Sequence, residues 1–205
     1  MYKTYQDEVV EESIKIIKEV LLGEYVTLSV GSLSLNENVE QERSEVSCVV
    51  SLGGAPDVEV NGAGFGLVDA LYSALVNKLS GEYLSLKDVR FVDFTVNINP
   101  RSVIKKPGTD AKVFVDIMVE NSSRDYYHFS HSARSMNTAA VLAVLKTVEY
   151  FLNCEKAILK LSICIKDAEA RGRIDMKDKY VNQMCTLVKN NSYVESLRYF
   201  KNKKN

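Results

Sequence analysis

The sequence predicts an α+β fold: two β-β-β-α modules with antiparallel sheets, an N-terminal helix before them and a helical extension after them. Two groups of three short runs alternate apolar with polar residues. Polar or glycine-rich turns separate the runs as in a meander, and each group leads into apolar residues spaced three or four apart. The expected divisions are an N-terminal helix over 1–24, a two-module domain over 25–153 (modules 25–81 and 88–153) and an extension over 154–205 that ends in a basic tail.

Residues 6 to 22 place Val9, Ile16, Ile17, Val20 and Leu21 near helical spacing, with Asp7, Glu8, Glu11 and Glu12 in the first turns and Gly23 beyond the end. Acids at the N-terminal end suit the helix dipole. From Tyr25 the period becomes two, with Val26, Leu28 and Val30 on one face. A polar loop, Asn36 to Ser44, separates this strand from Val46, Cys48 and Val50, and Gly53-Gly54-Ala55-Pro56 turns into Val58 and Val60. Val68, Leu71, Tyr72, Leu75 and Leu79 then make a helix that Ser80-Gly81 stops.

The second half repeats the order. Val92, Phe94, Val96 and Ile98 alternate, a loop runs from Pro100 to Gly108, and Val113, Val115, Ile117 and Val119 alternate again. Asn121-Ser122-Ser123 turns into a third run, Tyr126 to Ser130, and a helix follows from about Met136 to Leu152. Matching order and spacing indicate a duplication, neither half having enough apolar surface to stand comfortably alone. Beyond Asn153 a strand (Leu159, Leu161, Ile163, Ile165) and a continued helix (Ile158, Leu161, Ile165, Ala168) both fit; helix is the preferred reading. Met176, Tyr180, Val181, Met184, Leu187 and Val188 mark a further amphipathic helix.

With 26 basic and 27 acidic residues in 205, the chain lacks the basic excess of a nucleic-acid or membrane-surface binder. No apolar run reaches the roughly 20 residues that span a bilayer, and no secretory signal is present, so a cytoplasmic location is expected. Cys48, Cys154, Cys164 and Cys185 form no Cys-x-x-Cys pair and read as reduced thiols. His128 and His131 are spaced wrongly for a shared ligand face on a strand, and no nucleophile elbow occurs, so neither a metal, a cofactor nor a catalytic constellation is expected.

The most informative stretch is Asn61-Gly62-Ala63-Gly64-Phe65-Gly66-Leu67-Val68-Asp69-Ala70-Leu71, where glycines join a strand to a helix. Its third glycine falls one residue early for a dinucleotide fingerprint, and the Gly-Lys-Ser/Thr ending of a phosphate loop is absent. Together with Pro107-Gly108-Thr109-Asp110-Ala111 and Glu149-Tyr150-Phe151-Leu152, the run Gly64-Phe65-Gly66-Leu67-Val68-Asp69-Ala70 resembles the C-terminal regulatory domain of 2-isopropylmalate and citramalate synthases. There the motifs read Gly-Asn-Gly-Pro-Val-Asp-Ala, Gly-Thr-Asp-Ala and Glu-Tyr-apolar-Leu, and the match covers roughly residues 25 to 153.

The resemblance implies a homodimeric, non-catalytic domain that encloses an end-product amino acid, leucine or isoleucine, between subunits and throttles a separate enzyme. A catalytic barrel needs more length and metal-binding histidines than this chain offers. Carried over, Gly64, Gly66, Leu67, Val68 and Asp69 would hold the ligand's backbone end, Phe91, Phe94 and Ile98 would form an apolar wall, and Gly108, Asp110 and Ala111 would cross it. A helix N-terminus is a physical reason for a carboxylate to sit there. Leu67 replaces the family's proline, and Phe91 has the opposite strand parity from Phe94 and Ile98, so the three share a wall only through a bulge or across an interface. The plainer alternative puts both phenylalanines in the core. A second functional reading is an assembly protein that keeps the fold for dimerisation and binds a macromolecular partner with its C-terminal helices.

Overall fold

Strict alternation over Val46, Cys48, Val50 and Leu52 makes a strand that is buried on one face. In the computed structural model this strand, β2 (Arg43–Leu52), is the centre of an antiparallel sheet between β1 (Leu28–Asn38) and β3 (Val58–Gly64). A second sheet has the same plan, with β5 (Val113–Glu120) between β4 (Arg90–Ile98) and β6 (Tyr126–Ala133). Helix α2 (Leu67–Leu79) follows the first sheet and α3 (Met136–Ala170) the second, while α1 (Tyr5–Leu21) precedes them and α4 (Ile174–Asn191) comes last. The structure describes residues 5–53, 56–98 and 112–191; the expected loop from Pro100 to Gly108 and the basic tail lie outside them. No described helix is long and apolar enough to cross a membrane.

The expected α+β plan of two β-β-β-α modules is present, and the strand pairing shows how closely the halves match. In β1 the pairing runs Val30↔Val50 and then Leu33↔Cys48, so Gly31 and Ser32 together oppose a single residue. In β4 it runs Phe91↔Val119 and then Phe94↔Ile117, with the extra residue at Val92. Both first strands therefore bulge at the same level of their sheets, and in each the bulge returns apolar residues three apart to one face. Between β1 and β2 the turn is shorter than expected. Asn36 to Asn38 continue the ladder opposite Arg43 to Glu45, their polar side chains exposed, and the Asn38 side chain closes the turn by accepting the Gln41 N–H at 3.1 Å.

Helix α2 lies against β3 so closely that Gly62 has no room for a side chain. A Cβ there would strike the Ala74 methyl and the Ala70 carbonyl. Leu71 and Leu75 of α2 and Val144, Val148 and Phe151 of α3 join the inner faces of both sheets in one core. Past Leu152 the helical reading holds. α3 runs unbroken for 35 residues and adds Ile158 and Leu161 to that core. It stops at Gly172, whose φ of 66° no β-branched residue would tolerate, with Arg173 N–H on the Ala168 carbonyl and Gly172 N–H on that of Glu169. Helix α4 then folds back, with Leu187 fully buried and Lys179 paired with Glu19 of α1 at 2.7 Å.

Three polar side chains of α3 hold the rest of the chain. The Asn153 amide accepts the Val26 N–H at 2.8 Å and donates to the Val26 carbonyl at 2.7 Å, doing for one residue what a neighbouring strand would do. Glu149 accepts the Leu28 N–H and the Tyr25 hydroxyl, each at 2.9 Å. Glu155, itself buried, accepts the Ser85 N–H at 2.8 Å and that of Leu84 at 3.2 Å. Burial, and secondarily the Glu149 carboxylate, pushes the Tyr25 phenol well above its usual range, so it remains the donor at all working pH values.

Replacing Asn153 by Leu strands two buried backbone groups at Val26. The expected loss is about 3 kcal/mol in urea unfolding, because each unsatisfied group costs about 1–3 kcal/mol. For Gly62→Ala a loss of about 1–3 kcal/mol is expected from overpacking against α2. Gly66→Ser should be neutral, since Gly66 has an extended backbone with open space around it and its counterpart in the second module is Ser135.

Candidate functional site

The glycine run ends β3 and starts α2, and each glycine in it has a different reason. Gly64, paired with Ser44 at the end of β3, leaves room for the Asp69 side chain, which a Cβ at this position would strike. Asp69 uses that space to accept the Phe65 N–H on Oδ2 at 3.0 Å. The carboxylate thus lies in the first turn of α2, where the helix dipole favours negative charge. Gly66 is the N-cap and accepts the first helical bond, from Ala70, at 2.9 Å. Leu67 is half-buried against the core and Val68 is buried. Closing the turn on itself leaves the Phe65 side chain 88% exposed.

The β4 bulge resolves the parity problem posed by the phenylalanines. Phe91 and Phe94 pair with Val119 and Ile117, two inward-facing residues of β5, so their side chains share the inner face of the sheet, with ring centroids 6.4 Å apart. The next residue on this face, Val96, pairs with Val115. Phe91 packs at the border of the core, its ring 6.2 Å from that of Tyr72 on α2, and the buried Tyr72 hydroxyl donates to the Val89 carbonyl at 3.0 Å. Farther along, Phe94 is 45% and Val96 42% exposed although both point to the core side. Neither α2 nor α3 packs on this part of β4.

The residues proposed from the sequence thus fall into three sets. Gly64, Gly66, Leu67, Val68 and Asp69 form one closed turn. Phe91 and Phe94 form an apolar row joined to the same helix through Tyr72, three residues after Asp69 and therefore on the same side of α2. Ile98 pairs with Val113 at the end of that row, its side chain lying outside the described residues together with Gly108, Asp110 and Ala111. Tyr72 read in the sequence as one of several apolar helix positions, and Phe65 was given no role of its own; an aromatic residue between two glycines was the available sign of a presented ring.

Other chemistry is sparse. His128 Nδ1 meets Asp116 Oδ2 at 2.8 Å on the outer face of the second sheet, whereas His131, on the inner face, is held below the usual histidine range by burial and then by Lys146. Among the described residues no group of three histidines, cysteines or acids is arranged to hold a metal. Cys48 and Cys154 are buried with thiols pushed up by desolvation, which suppresses their reactivity. A cleft of about 610 Å³ lies at the far end of α2, lined by Val26, Leu52, Val58, Leu79 and Tyr83, where burial and Glu82 push the Tyr83 phenol up to about 12.

The second module carries a differently charged turn at the equivalent place. Arg134 stands where the first has Phe65, Ser135 caps α3 by accepting the Thr138 N–H at 3.3 Å, and the first turn of α3 holds no acid. A ligand that bridged the two kinds of turn would meet opposite charges.

Comparison with known proteins agrees with this duplicated plan. No curated protein matches the chain. The family model described as the LeuA allosteric (dimerisation) domain matches residues 8–152, spanning α1, both sheets and α3 as far as its Glu149-Tyr150-Phe151-Leu152 segment. The chain belongs to the LeuA allosteric (dimerisation) domain family of 2-isopropylmalate synthase.

Proposed function

We propose that this chain is a non-catalytic regulatory module that binds a small amphipathic metabolite, a branched-chain amino acid or a close relative, at a homodimer interface, and conveys its presence to a separate enzyme. One juxtaposition carries the reading: the first turn of α2, with Asp69 in it, is joined through Tyr72 to the open apolar row Phe91, Phe94 and Val96. An α-amino acid needs three things of a site. Its carboxylate needs N–H donors, which the start of α2 at Leu67 and Val68 supplies because the first N–H groups of a helix have no partner within it. Its ammonium needs an anion, and Asp69 engages the Phe65 N–H through Oδ2, leaving Oδ1 to face a cation. Its side chain needs apolar surface, which β4 offers.

Asp69 also sets the orientation. A free carboxylate at the helix start sits beside the chain's own carboxylate, so a simple carboxylic acid is repelled where a zwitterion is not. Selection of the amino acid over its deaminated analogue follows from this one side chain. The half-open row on β4 requires a second surface to exclude water from a bound side chain, and a second subunit provides one.

A thermal-shift series over leucine, isoleucine, valine and their 2-oxo acids tests the reading. Ligand at 100 times its dissociation constant adds about 2.7 kcal/mol, or about 5–10 °C for a chain of this size. The amino acids should shift the midpoint and the oxo acids should not, and Asp69→Asn should weaken the amino-acid response at least tenfold. A stable dimer that no metabolite shifts would support assembly as the role instead.

A further inference from the structure

We infer that Phe65 is an intersubunit anchor: in the homodimer its ring inserts over the Phe94–Val96 row of the partner, so that each subunit completes the apolar wall of the other's site. This deepens the proposed function and rests on the dimer that it invokes. The ring is presented rather than merely unburied. Asp69 Oδ2 holds the Phe65 N–H, the Asp69 carboxylate fills the space that a side chain at Gly64 would need, and Gly66 caps α2 directly behind it. An aromatic side chain on a fixed backbone loses little freedom on docking and buries a large area, which is why such residues dominate the centres of interfaces.

The receiving surface has the complementary deficit. Phe94 and Val96 point to the core side of their sheet, yet stand 45% and 42% exposed, with no described helix of the same chain packed over them. A two-fold interface is self-complementary, so anchor and acceptor must belong to the same patch of one chain. Here α2 joins them: its start carries Phe65, and its Tyr72 touches Phe91, which touches Phe94. A second copy of this chain is therefore the occupant that fills both deficits at once, and the family to which the chain belongs is a dimerisation domain.

The chain contains no tryptophan, so Phe65→Trp supplies a single intrinsic probe. Sedimentation velocity gives the dimer dissociation constant, and tryptophan emission is followed across the same dilution. The expected result is blue-shifted emission in the dimer that moves to the solvent-exposed value as the dimer dissociates. A dimer whose tryptophan emits as fully exposed overturns the anchor and leaves the dimer standing. A chain that is monomeric at every concentration overturns both. Phe65→Ser and Phe94→Ser should each weaken dimerisation at least tenfold with unchanged circular dichroism. An equimolar mixture of the two should dimerise more tightly than either alone, because the mixed dimer keeps one Phe65–Phe94 contact intact. Absence of that recovery would mean that the two side chains act in separate contacts, against the inference.

Discussion

The double hydrogen bond between Asn153 and Val26 holds the architecture together. Val26 links α1 to β1 and has no strand beside it, so its buried N–H and carbonyl need a substitute partner. A primary amide is the one neutral side chain that offers an acceptor and a donor side by side. Glu149, one turn earlier on the same face of α3, takes the next available N–H at Leu28. Glu155 takes those of Leu84 and Ser85, between α2 and β4. The helix of the second module therefore grips the first module where the chain enters it and where it leaves. The two halves are locked by directional bonds to backbone as well as by their shared apolar core, which fixes how they are placed and not merely that they touch.

This placement was the least legible property of the sequence. Nothing in the sequence marks Asn153, Glu149 or Glu155 as tethers, because a polar residue in an apolar run is ordinarily exposed. Their bonds go to residues about 70 to 127 positions away, so nothing in the local pattern reveals them. The modules themselves were legible, since period two and period 3.6 are local properties. The bulge in β4 was legible as a conflict of parity between Phe91 and Phe94, and β1 shows the same conflict between Val30 and Leu33. In both strands apolar residues three apart in an otherwise alternating run are the mark of the extra residue. The β1–β2 turn was read too long because Asn36 to Asn38, Arg43 and Ser44 have little β propensity, though their backbones pair.

At the glycine turn the sequence conveyed the place and only part of the physics. Three glycines suggest three tight positions, but Gly62 yields to a helix, Gly64 to a carboxylate and Gly66 to nothing that a side chain would disturb. The purpose of the second is to let the chain carry its own anion at the start of α2. That gives the start of α2 a negative charge of its own, where a helix N-terminus otherwise presents only N–H donors. The equivalent turn at Arg134, with no acid in the first turn of its helix, has the reverse bias. Duplication has thus produced two strand-to-helix turns that differ in cap conformation and in charge.

Duplication also explains why one apolar row is closed and the other open. The first strands of both sheets lie beyond the reach of their own module's helix, which covers the second and third strands. In the first module α3 reaches the start of β1, where Glu149 holds the Leu28 N–H; Leu28 is buried, and Val30, Leu33 and Leu35 are half-buried against the core. Reciprocal cover for β4 would have to come from α2, but α2 has 13 residues against the 35 of α3 and ends at Leu79. The helices of the two modules thus differ in length, and the strip at Phe94 and Val96 is left without a described helix over it. Within one chain that strip is a standing cost, since apolar area left in water forfeits about 25 cal/mol for each Å² that could be buried. Across a two-fold axis the same strip would be the surface on which the proposed association depends, and a metabolite held between the subunits would then be linked to the dimer by mass action.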